Sequence, residues 1–153
     1  MTQRTMILAL STAVALAGLG CEAGHIDEHR QKARTRLDES RAEIAMRLAH
    51  SCYEKGELGR ARDHVSQAIR SGSKNAALFA LAGRLAAEGG ELDEARGYAR
   101  MAISLDAEYP DAHFVLGTVE QALGRTDVAL AQFARALELA PKNTGYTLAR
   151  AEL

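Results

Sequence analysis

Self-similarity at a spacing of 34 residues constrains this chain more than any other feature. Asp111–Pro141 reads DAHFVLGTVEQALGRTDVALAQFARALELAP. Apolar residues recur there at helical spacing in two blocks, Phe114–Leu123 and Val128–Leu139. Gly124 lies between the blocks as a helix stop, and Pro141 closes the second. The pattern predicts two antiparallel helices joined by a tight turn. One step of 34 residues upstream, Gly124 maps to Gly90, Ala129 to Ala95, Ala136 to Ala102 and Leu139 to Leu105. A second step gives Gly56, Ala61 and Ala68. One such pair cannot bury its apolar face alone, whereas stacked copies share a continuous core.

This period, with small residues held in register, resembles the tetratricopeptide repeat (TPR) family. The resemblance implies an all-α, right-handed α-solenoid of three helix–turn–helix TPR units, 42–75, 76–109 and 110–143, followed by a short C-terminal cap helix within 144–153. In each unit a first helix A is followed by a helix B. Ala49, Gly83 and Gly117 share one position on helix A, and Ala61, Ala95 and Ala129 share one on helix B. Small side chains are required where helix axes approach closely, because overfilling costs about 1–3 kcal/mol. Gly56, Gly90 and Gly124 suit the left-handed residue that ends helix A. Asn75 is the expected N-cap of the second unit, and Pro110 fits a first helical turn. Phe133 is expected in the core. The family's large aromatic early in helix A is replaced by Ala45, Phe79 and His113, and its later Tyr by Cys52, Ala86 and Glu120. Cys52 is expected to pack inward as a small apolar side chain.

The N-terminus reads differently. Met1–Gly20 carries a single charge, Arg4, and an apolar run from Met6 to Leu19. The run is short for a membrane span and has the shape of a secretory signal peptide, 1–20. Small residues directly before Cys21 resemble the lipobox of bacterial lipoproteins, although Gly18 stands where that family places Leu. The resemblance implies lipidation of Cys21 and an exported protein anchored in the bacterial cell envelope, facing the outer membrane or periplasm. Residues 21–41 are dense in charge and are expected to form a tether or a helical extension. Ser40-Arg41-Ala42-Glu43 fits a capping box that starts the first repeat helix.

Five His are scattered without catalytic spacing. No Gly-rich phosphate loop, H-E-x-x-H, C-x-x-C or G-x-S-x-G occurs. A net charge of −1 gives no reason to invoke nucleic acid. The chain is therefore read as a non-enzyme, with no cofactor, metal or small-molecule substrate.

In the TPR family the concave groove is lined mainly by helix A. Carried over by position, unit one supplies Glu43, Met46, His50, Tyr53 and Glu54. Unit two supplies Arg84 and Glu88, with small walls at Ala77, Ala80 and Ala87. Unit three supplies Phe114, Thr118 and Gln121, with Asp111 and Ala122 at its ends. Arg84 is expected either to meet a ligand acid or to pair with Glu54 or Glu88. The family's carboxylate-clamp residues are not matched at Met46 and His50. The function expected is a membrane-anchored scaffold binding a protein segment in this groove. Two alternatives are an accessory subunit or fragment of a larger enzyme or assembly system, and a soluble periplasmic TPR binding module.

Overall fold

The computed structural model describes the backbone of residues 3–151 and the side chains of residues 27–151. Seven helices follow in order: α1 Gln3–Glu54, α2 Leu58–Arg70, α3 Ala76–Glu88, α4 Leu92–Leu105, α5 Pro110–Ala122, α6 Thr126–Leu139 and α7 Thr144–Ala151. No strand occurs among the described residues. Contacts divide the chain into two units, residues 1–38 and residues 39–153.

The first unit is helical throughout its described length. Its charged part carries pairs at helical spacing, Asp27–Arg30 at 3.8 Å and Glu28–Lys32 at 2.6 Å. Such exposed pairs support a helix weakly, by about 0.2–0.5 kcal/mol each. The lead-in is thus helix, not loose tether. The expected helix start at Ser40 is corrected: Ser40 lies inside α1. No Pro stands between Gly24 and Glu54, so nothing there breaks a helix already under way.

The expectation of a membrane-anchored lipoprotein is also corrected. Among the described residues, no helix is long and apolar enough to cross a membrane. The apolar run Met6–Leu19 would rise only about 21 Å as helix, against a hydrocarbon core of about 30 Å. Lipidation of Cys21 lies outside the residues whose side chains are described.

The second unit is the α-solenoid. Three turns join helix A to helix B in the same way. Gly56, Gly90 and Gly124 adopt φ of 73°, 79° and 74°. The following residue reaches back five positions in each case: Glu57 N–H to Cys52 O, Glu91 N–H to Ala86 O, Arg125 N–H to Glu120 O. This is the Schellman arrangement, which satisfies carbonyls left open at a helix end. Gly72, at φ 78°, does the same service after α2. Asn75 caps α3 by accepting the Ala77 N–H at 2.8 Å, and Pro110 is the first residue of α5.

Packing follows the small-residue register. Ala49, Ala61, Ala95, Ala99, Ala102, Ala129 and Ala136 are all fully buried. One cluster joins Ala45, Ala49 and Cys52 of α1 to Val65 of α2 and Leu78, Leu81 and Leu85 of α3. A second joins Ala86 of α3, Ala95 and Ala99 of α4, and Val115, Leu116 and Val119 of α5. In α6 the core stripe is Ala129, Phe133 and Ala136, while Val128 and Leu130 face outward. His113, in place of a large aromatic, is buried between the carbonyl of Ala107 (3.0 Å from Nε2) and Gln132 Oε1 (2.9 Å from Nδ1). Glu120, in place of Tyr, is buried against Arg125 at 3.1 Å.

Candidate functional site

Helices α1, α3 and α5 present one face together, and two adjoining hollows open on it. The first, about 380 Å³, is lined by Tyr53, Arg84, Ala87, Glu88, Leu92, Phe114, Val115, Thr118 and Ala122. The second, about 370 Å³, is lined by Met46, Arg47, His50, Tyr53, Glu54, Ala77, Ala80, Leu81, Arg84, Tyr109 and Asp111. Tyr53 and Arg84 belong to both. Of the residues proposed from sequence, Met46, His50 and Glu54 line the second hollow, Glu88, Phe114 and Thr118 the first, and Gln121 neither. The small side chains Ala77, Ala80 and Ala87 form the floor between larger neighbours, which is why space exists there.

Polar groups across the face are tied from one repeat to the next. Tyr53 donates its hydroxyl to Glu88 at 2.5 Å. Its ring lies under the Arg84 guanidinium at 5.8 Å, within reach of a cation–π attraction. Arg84 faces Asp111 at 3.7 Å, neither Glu54 nor Glu88. Asp111 in turn accepts hydrogen bonds from Tyr146 and, at 3.4 Å, from Tyr109. Phe114 stacks on Tyr146 at 4.9 Å between centroids and leans on Phe133 at 5.6 Å. The α7 tyrosine therefore closes the unit-three end of the face.

These tyrosines are held as neutral donors. Burial, and then the hydrogen bond to Asp111, push the Tyr146 hydroxyl well above its ordinary range. Tyr109 is raised by burial and by the charge of Asp111, and Tyr53 by burial and its bond to Glu88. A hydroxyl bonded to a carboxylate loses that bond on ionising, so the protonated form is favoured.

Asp111, carried over by position as the second place of the third unit, lines the second hollow. Tyr109, Tyr146, Leu92 and Val115 were not among the residues proposed from sequence. Tyr146 escapes a positional argument, because nothing local signals where a short tail docks.

Models of the tetratricopeptide repeat match residues 46–113 and 110–143, together well over half of the chain. The chain belongs to the tetratricopeptide repeat family. It is a repeat protein. Among the described residues, no group of three or more His, Cys, Asp or Glu is placed to hold a metal ion. No curated protein matches the TPR chain in sequence.

Solved structures show the same fold. The TPR domain of Arabidopsis OM64 is 22% identical, with a TM-score of 0.70 over 75% of this chain and 95% of that one. The second TPR of Spaghetti (RPAP3), bound to the HSP90 peptide SRMEEVD, is 24% identical, with a TM-score of 0.70 over 74% and 98%. MamA is 19% identical, with a TM-score of 0.65 over 78% and 70%. The matches are TPR folds, and an exported, outer-membrane or periplasmic lipoprotein is not among what they support. That placement is withdrawn together with the anchor.

Proposed function

We propose that this TPR protein is a non-catalytic interaction module that takes a protein segment on the face centred on Arg84. The observation that carries the reading is the pair of hollows sharing Tyr53 and Arg84. Together they give about the depth that one or two side chains of a bound segment require, with aromatic rings at Tyr53 and Phe114 to cover them. Two supports come from the comparisons. The second TPR of Spaghetti, of the same fold, is described with a bound peptide, and so is the second TPR domain of human RPAP3, with the HSP70 peptide SGPTIEEVD. Met46, His50, Glu54, Glu88, Thr118 and Gln121 extend the proposed contact along the face.

The test is peptide selection on the immobilised chain, followed by affinity measurement on the winners. Tyr53→Ala, which removes the ring shared by both hollows, is expected to weaken binding at least tenfold. Arg96→Ala, which loses an i,i+3 pair with Asp93 at 2.8 Å and lines neither hollow, is expected to leave it unchanged. Equal affinities for the parent and both variants would remove the face from the binding site.

A further inference from the structure

We infer that the segment is anchored by an apolar side chain next to a basic residue, and not by a carboxylate. The inference rests on the groove reading above and concerns what the groove selects.

The walls of the first hollow are apolar at Ala87, Leu92, Phe114, Val115 and Ala122. Its polar groups are few and mostly engaged. Thr118 donates its hydroxyl to the Phe114 carbonyl at 3.0 Å. Tyr53 donates to Glu88. A space of about 380 Å³ lined this way accepts a Leu, Met or Phe side chain, whose removal from water drives binding.

Charge decides the neighbour. Arg84 already faces Asp111 and the Tyr53 ring. A ligand carboxylate would have to compete with Asp111 for it. Glu88 stands opposite: it is exposed at the rim, and among the described residues no cation lies within ion-pair distance of it. Its one strong contact is a neutral hydroxyl. The uncompensated charge beside the apolar hollow is therefore negative, and its complement is Lys or Arg.

The experiment selects random twelve-residue peptides, displayed with free C-termini, on the full chain. The expected winners share Leu, Ile, Met or Phe beside Lys or Arg. Ala87→Phe fills the hollow and is expected to weaken a synthetic winner about tenfold or more, the factor matching loss of one buried apolar side chain. Thr118→Tyr fills it from the exposed opposite wall and should act alike, so a folding defect in either variant does not decide the outcome. Glu88→Gln keeps an acceptor for Tyr53 but removes the charge, and should erase the preference for Lys or Arg. Winners rich in acidic residues, bound by Ala87→Phe and lost on Arg84→Ala, would overturn this inference and leave the groove in place. Winners indifferent to Ala87→Phe, Thr118→Tyr and Arg84→Ala alike, or no winners at all, would overturn the groove reading and this inference with it.

Discussion

A Cβ placed on Gly117 would lie 2.6 Å from Cε1 of Phe133. Helices α5 and α6 meet through this pair, a missing side chain on one and a fully buried ring on the other. Gly117→Ala gains roughly 1 kcal/mol of helix propensity but forces the ring aside, at about 1–3 kcal/mol. The variant is expected to melt below the parent in a denaturant titration. Phe133→Ala should cost about 3–5 kcal/mol. The double variant Gly117→Ala with Phe133→Leu should lose less than the sum of Gly117→Ala and Phe133→Leu made singly, because the shorter side chain makes room.

Gly97 tests the same reasoning with the opposite sign. It lies in α4 with a negative φ, and a Cβ there would meet nothing within 4 Å. Gly97→Ala then only stiffens the unfolded chain and raises helix propensity. A gain of about 0.4–1 kcal/mol is expected. A lowered melting temperature would show that the outer face of α4 is closer to another element than this packing allows.

The contrast between these glycines explains how much of the fold was legible. A 34-residue register exposes small residues where axes meet, and glycines where the chain turns left-handed. Gly56, Gly90 and Gly124 were found that way, and so were Asn75, Pro110 and Phe133. The Ser40 capping box misled because a cap signal marks a helix start only when the preceding residues are not helical themselves. The face was legible as a set of positions but not as a set of partners. From sequence Arg84 is expected to meet a ligand acid or to pair with Glu54 or with Glu88, its i+4 neighbour, whereas it faces Asp111 on the next repeat. Tyr53–Glu88 and Tyr146–Asp111 are both 35 residues apart, one repeat plus one. Contacts of that length depend on how repeats stack, which local periodicity does not carry.

Glu120 makes a second kind of cross-link. Its carboxylate is buried, with Arg125 at 3.1 Å and Arg100 at 3.9 Å, and both arginines reach solvent. Removing one partner from a fully buried pair costs about 3–5 kcal/mol. Arg125 is half exposed, and Arg100 stays nearby, so Arg125→Ala is expected to cost less, about 1–3 kcal/mol. Arg60→Ala, which breaks an exposed i,i+3 pair with Glu57, should cost under about 0.5 kcal/mol. Thermal melts of the two variants at low and high salt make the check. Equal losses would mean that the Glu120 carboxylate is satisfied without Arg125.

The tyrosine bonds to Asp111 and Glu88 give the protein an alkaline limit. Tyr146, Tyr109 and Tyr53 all have hydroxyls raised above the ordinary value of 10.0, by burial first and then by their carboxylate neighbours. Between that value and the higher folded one, the folded chain holds protons that the unfolded chain has released. Stability then falls as pH rises, because the unfolded state binds fewer protons than the native state. The tyrosine contribution is complete below about pH 10 and is lost progressively above it. Tyr146 carries the largest shift, so Tyr146→Phe is the informative variant. At pH 8 it loses a hydrogen bond to a charged acceptor, worth about 1.5–3 kcal/mol, while keeping the stack on Phe114. As pH climbs past 10, Tyr146 of the unfolded parent ionises while the folded one keeps its proton, so the parent loses this stability and the variant does not. The gap between their unfolding free energies should therefore narrow steadily toward pH 12. A constant gap over that range would mean that the Tyr146 hydroxyl does not hold Asp111 in the folded state, and that α7 closes the face by its ring alone.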